Sequence, residues 1–277
     1  FGWNRLSPRV HLATLWIAVA GTWMSAYFIL VANSWMQHPV GYEIVNGEAQ
    51  LTSVWDLLTS RWAFWAWGHT ILAGLTAGAA VVFGVCCWHF ARGRNQELFR
   101  PAAKLALIVL VPVAGFNLWF GSHFGILVTE LQPMKISAAE AQWDTCQPCS
   151  MSLVQVGGFT EDDQTPTFSI EIPHALSWVA TGSLDGQVQG LTELNQQYEA
   201  MFGAGNYMPP VRTIYWSMRV MAYLGTLSVL LALWGGWLLW RKRLEGAKWF
   251  QRAALAGIAF PFLSNFAGWI LTEAGRQ

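Results

Sequence analysis

Five stretches of this chain are each long and apolar enough to cross a lipid bilayer: residues 11–33, 63–90, 102–128, 213–240 and 250–272. A helix rises 1.5 Å per residue, so about 20 residues cover ~30 Å of hydrocarbon. No water is available there to satisfy backbone N–H and C=O groups, so each stretch must bond internally as an α-helix. This constraint predicts an all-α fold, a polytopic transmembrane helix bundle. Composition agrees: 12% of residues are charged, against about 25% in an ordinary soluble domain. The 18 tryptophans suit helix ends at the membrane–water interface, where the ring is apolar and its N–H is wet. Pro112 and Pro261 fall inside spans and predict kinks. The net charge of zero supplies no field for a nucleic-acid partner. The chain starts at Phe1 rather than Met and reads as a piece of a longer protein.

Basic residues orient the spans. Arg5 and Arg9 precede the first; Arg92, Arg94, Arg100 and Lys104 lie between the second and third. Arg241, Lys242, Arg243, Lys248 and Arg252 lie between the fourth and fifth. With alternating spans all three clusters fall on one side, which the positive-inside rule makes cytoplasmic. Residues 129–210 are then extracytoplasmic. They hold ten acids and one base, Lys135. The segment is too long for an ordinary connection, and stretches such as SIEIPHALSWVATGSL carry enough apolar surface to pack as an ordered subdomain. The chain thus divides into three spans (1–128), an outer loop (129–210) and two spans (211–277).

Ionisable and metal-ligating groups inside spans are the first functional candidates, because burying them in lipid is costly. His69 lies near the outer end of the second span, followed by Gly74 and Gly78. Small residues there admit a neighbouring helix or a flat macrocycle, so His69 reads either as a haem ligand or as a histidine bonded to an adjacent helix. In the fourth span, Met218 and Met221 lie one turn apart with Arg219 between them. Methionine and histidine form an axial pair for low-spin haem, and arginine can hold a propionate; otherwise both methionines fill the core. In the outer loop, Lys135 and Glu140 are five residues apart, roughly 140° around a helix. Such a pair can supply the donor and the base that quinol oxidation needs, or be incidental surface charges. Cys146 and Cys149 form a CxxC whose simplest reading outside the cytoplasm is a disulfide. A zinc site would need two further ligands, and the loop offers only His174. Cys86 and Cys87 read as small buried residues. His11, His38, His89 and His123 carry weaker signals.

The segments GWNRL, ILVANSWMQHPVG, WGHTILAGLTAG, MKISAAEAQWD, IEIPHALSWVAT, MRVMAYLG and AGWILTEAGRQ follow one another in this order. Together they resemble subunit I of cytochrome bd-type quinol oxidases, over the whole chain but starting after that family's first four transmembrane helices. The resemblance implies a respiratory electron-transport subunit in the cytoplasmic membrane of a bacterium or archaeon. It implies a low-spin b haem ligated by His69 and Met221, with Arg219 in the family's arginine position. It implies quinol oxidation at Lys135 and Glu140, and electron passage to high-spin b and d haems where dioxygen becomes water. The partner implied is a related membrane subunit II. One position departs: where the family carries a glutamate that ligates a high-spin haem, this chain has Phe266, which cannot ligate iron. A haem-depleted paralogous subunit paired with an active one is therefore the alternative. A haem-free transporter is a third reading, but neither broken helices nor an inverted repeat speak for it.

Overall fold

The computed structural model describes residues 2–276, which fall into two compact units, 2–71 and 72–276. In chain order the elements are α1 (Pro8–Gln37), β1 (Tyr42–Val45), β2 (Glu48–Leu51), α2 (Val54–Leu58), α3 (Arg61–Ala91), α4 (Gln96–Leu131), α5 (Pro133–Glu140), β3 (Met151–Gly157), β4 (Pro166–Ile172), α6 (Ala175–Thr181), α7 (Leu191–Phe202), α8 (Val211–Trp240), α9 (Lys248–Ala256) and α10 (Ala259–Ala274). Among the described residues, five helical segments are long and apolar enough to span a membrane, and they coincide with the five apolar stretches.

In the first unit, Ser7 caps α1 by accepting from the Val10 N–H, with Pro8 opening the helix. β1 and β2 form a hairpin closed by Asn46-Gly47, both at positive φ (54° and 84°). Asn-Gly suits the two-residue turn that matches strand twist. Trp67 donates to the Trp23 carbonyl at 3.1 Å, and Tyr27 stacks edge-on against Trp67 while its hydroxyl donates to the Leu58 carbonyl.

The second unit has one core at each end of α8. At one end Phe83, Leu107, Leu110, Ala232, Leu238 and Phe250 interdigitate. Gly235 is required there: a Cβ would stand 2.9 Å from Phe83 and 3.0 Å from Phe250. Arg100, at the start of α4, forks Glu245 in the α8–α9 connection at 2.5 and 3.0 Å, so two of the three basic loops share one end. At the other end Met134, Trp143, Leu191, Leu194, Ile214 and Tyr215 pack together. The long segment after α4 folds over this second core, opposite the basic loops.

The two prolines predicted to kink their spans differ: Pro112 lies within a continuous α4, with no interruption of the helix there. The fifth span breaks into α9 and α10 at Gly257 and Ile258. Pro261 has no N–H to give the Gly257 carbonyl, and its ring crowds that carbonyl four residues upstream, so the break falls there rather than at the proline.

Candidate functional site

The segment after α4 is ordered because each piece finds a partner. Ser137 donates to the Gln189 carbonyl at 2.7 Å, and Trp143 donates to the Gly158 carbonyl at 2.9 Å. Cys146 and Cys149 are joined by a disulfide. Next to it, the Cys149 N–H donates to Ser177 of α6 at 2.7 Å, and Cys146 pairs with Val188. This crosslinked wall holds α5 against α8.

A buried polar cluster forms where α5 meets α8. Glu140 ends α5 at 8% exposure, and Arg219 of α8 is 3% exposed. The guanidinium forks the carboxylate, with Nη1 to Oε1 at 3.1 Å and Nη2 to Oε2 at 2.7 Å. It also donates to the carbonyls of Ala139 and Ser152. Its Cζ lies 3.8 Å from the centre of the Tyr215 ring, and the Tyr215 hydroxyl meets Ser152 Oγ at 2.6 Å. Arginine suits this place because its planar fork pairs with a carboxylate and stacks on an aromatic face at once. Burial pushes the Glu140 carboxyl above its ordinary range, and the Arg219 charge and hydrogen bonds oppose that rise. Arg219 thus holds a protein carboxylate, a partner that sequence reasoning, which offered it to a haem propionate, did not identify.

Lys135 begins the same helix and is 3% exposed. Its Nζ donates to the Thr272 carbonyl of α10 at 3.2 Å. Burial pushes its pKa down to about 7; Glu273 acts against that fall and Arg276 with it. Lys135 and Glu140 therefore both stand on α5, and each faces a different helix.

The two methionines separate. Met218 packs into the core beside Tyr215. Met221 is half-buried, and its thioether lies against α10, where a Cβ on Gly268 would come within 2.9 Å of Sδ. Ser264 of α10 donates to the Met221 carbonyl at 2.8 Å. On α3, nothing stands within 4 Å of a Cβ placed at Gly74 or Gly78. A soft thioether donor and open glycine faces fit a planar iron macrocycle. His69 is half-buried in α3 and belongs to the first unit.

The remaining candidates have structural roles. His89 stacks on Phe99 at 3.7 Å, His123 Nδ1 meets the Trp119 carbonyl at 3.0 Å, and His174 Nδ1 meets the Leu184 carbonyl at 3.1 Å. Cys86 and Cys87 are free and buried. Phe266 projects from α10 at 66% exposure. Sequence reasoning missed Tyr215 and Ser152. Tyr215 lies one turn before Arg219, a spacing at which ring and guanidinium share a helix face; for Ser152 the sequence holds no signal.

Fold and site together define a polytopic helical membrane protein with a buried carboxylate–guanidinium pair at the ends of its spans. Residues 1–277 match the family of cytochrome bd terminal oxidase subunit I, and the chain belongs to that family. It is 38% identical to cytochrome bd ubiquinol oxidase subunit 1 of Bacillus subtilis (strain 168), covering all of this chain and 59% of that protein. It is 27% identical to cytochrome bd-II ubiquinol oxidase subunit 1 of Escherichia coli (strain K12), covering all of this chain and 65% of that one. Its fold superposes on the bd oxidase structure from Geobacillus thermodenitrificans with a TM-score of 0.87 at 25% identity, covering all of this chain and 62% of that one. The chain thus spans about three fifths of the length of these relatives.

Proposed function

We propose that this chain is the quinol-oxidising and low-spin haem portion of a cytochrome bd-type oxidase subunit I, working with a subunit II-like partner in a complex that reduces dioxygen to water. The observation that carries the reading is the buried Glu140–Arg219 pair. It ties α5, with its lysine and carboxylate, to the turn of α8 that carries Met221 two residues further on. Quinol oxidation releases two protons and two electrons, so its site needs a donor to hold a quinol oxygen and groups to take protons. The Lys135 ammonium holds the oxygen. Glu140, kept ready by burial and restrained by Arg219, receives a proton.

In this reading His69 and Met221 would hold the low-spin b haem and Arg219 would bring positive charge to it, while Gly268 and Ser264 of α10 fix the Met221 thioether and backbone. When bound, the haem would supply a one-electron acceptor for quinol oxidation. The segment 129–210 faces outward, because it lies opposite the basic loops at Arg100 and Arg241–Arg243.

Phe266 favours a second reading, a haem-depleted paralogue that passes electrons to an active partner, because an apolar exposed side chain holds no iron. Lys135→Ala in the full complex should lower quinol-driven turnover by about 10²-fold and leave the haem spectrum intact. Met221→Leu should abolish the low-spin b bands. Parental quinol kinetics in the first variant, or an unchanged reduced-minus-oxidised spectrum in the second, would overturn the assignment. Low-spin bands without high-spin b and d bands in the parent would select the paralogue.

A further inference from the structure

A second group of polar side chains lies in the middle of the spans, away from the α5–α8 cluster. There α3, α4, α8 and α10 meet around a cavity of about 30 Å³ whose polar lining is Thr76, Asn117, Ser228, Ser264 and Asn265. Thr76 stands midway along α3 and Ser228 just past the middle of α8, and each is 5% exposed. At that depth lipid supplies no water, so polar groups must find partners within the protein.

The hydrogen-bonding capacity of this lining is one-sided. The Thr76 hydroxyl donates to the Leu72 carbonyl, the Ser228 hydroxyl to the Leu224 carbonyl and the Ser264 hydroxyl to the Met221 carbonyl, each at 2.8 Å. A hydroxyl has one proton to give, so these three have only lone pairs left for the cavity. Among the described residues, Asn117 Oδ1 is buried and meets no hydrogen-bond donor. A buried acceptor left unpaired is costly, so the site calls for an occupant that donates. None of the lining residues is charged, so a cation there would lack a counter-charge. A small neutral donor remains, and water is one: it gives two protons, and each molecule needs about 10–15 Å³, so the cavity has room for about two.

The neighbouring space behaves differently. A cavity of about 20 Å³ shares Ser228 but is otherwise lined by apolar groups, among them Phe83, Leu110, Leu231 and Ala232. Phe83, Leu110 and Ala232 belong to the core at the end of α8 near Arg100 and Glu245. Water there would have a single side chain to bond, whereas a buried water typically has two to four polar partners. Hydration therefore stops at Ser228 and does not continue toward the basic loops.

We infer that the cavity between Thr76, Asn117 and Ser228 is an internal hydration site, holding about two waters that donate to Asn117 Oδ1 and to the serine and threonine oxygens. The site joins α3, α4 and α8 at mid-membrane through the solvent it holds, where these helices otherwise meet through apolar contacts.

The test is X-ray hydroxyl-radical footprinting of the full complex in lipid nanodiscs. Radiolysis of a bound water generates the radical in place, and it oxidises the side chain beside it. Pro261 lines the hydrated cavity and is buried; Phe83 lines the dry one and is 3% exposed. With the exposed Trp249 as reference, Pro261 should be oxidised and Phe83 should lag severalfold, although an aromatic ring is intrinsically the more reactive. Asn117→Leu, which removes the unpaired acceptor, should lower Pro261 oxidation severalfold. An unoxidised Pro261 in the parent, oxidation of Phe83 as fast as that of Pro261, or an unaltered rate at Pro261 in Asn117→Leu would overturn the inference. If Asn117→Leu fails to assemble, the nearly isosteric double variant Thr76→Val/Ser228→Ala takes its place. It should also lower oxidation at Pro261, and an unaltered rate there overturns the inference equally.

Discussion

Replacing Arg219 with methionine removes a guanidinium that serves four oxygens: both of Glu140 and the carbonyls of Ala139 and Ser152. The carboxylate left behind is 8% exposed, so solvent cannot replace the lost partner. Breaking a buried pair by removing one member costs about 3–5 kcal/mol, because the other charge stays behind unpaired. Glu140→Gln keeps an acceptor and the stacked geometry and should cost less, about 1–3 kcal/mol. The Arg219→Met/Glu140→Leu double variant should recover much of the loss, since two matched apolar groups leave no buried charge. The pH dependence has a definite sign. Arg219 opposes the upward push of burial on the Glu140 carboxyl, so its removal lets the folded-state pKa climb further above the unfolded value. A carboxyl raised in the folded state stabilises fully below its unfolded pKa, and that stability is lost as pH rises through the folded value. Arg219→Met should therefore be least destabilised in acid and worst near neutrality. Denaturant titration of the detergent-solubilised complex at several pH values, followed by near-UV circular dichroism, measures this. A cost below about 1 kcal/mol, or one that does not change with pH, would show that the two residues are not a buried pair.

Cys146 and Cys149 should resist alkylation until reductant is added, and peptide mass spectrometry before and after reduction reads the difference. Ready labelling without reductant would contradict the disulfide. Phe266→Ala removes a ring that is 66% exposed, so the optical spectrum of every bound haem should be unaltered; a displaced haem band would place this side chain against a haem.

Much of the molecule is decided locally. The five spans follow from hydrophobicity and length, because lipid leaves the backbone no other way to bond. The expected kink at Pro261 falls near its place, and the disulfide joins two cysteines only three residues apart. The family was legible too, through long colinear segments, and so was the pairing of Lys135 with Glu140 in the outer segment, though not the short helix α5 that carries them. The sequence could not say what each polar side chain meets. Arg219 and Glu140 are 79 residues apart, and Lys135 and Thr272 are 137 apart. Such pairs exist only once α5 has docked between α8 and α10. The same docking separates Met218, which enters the core, from Met221, which lies on Gly268. Hydrophobicity and length mark which stretches cross the bilayer, but the partner of a buried charge is chosen by packing between helices distant in sequence, and only the tertiary structure makes that choice.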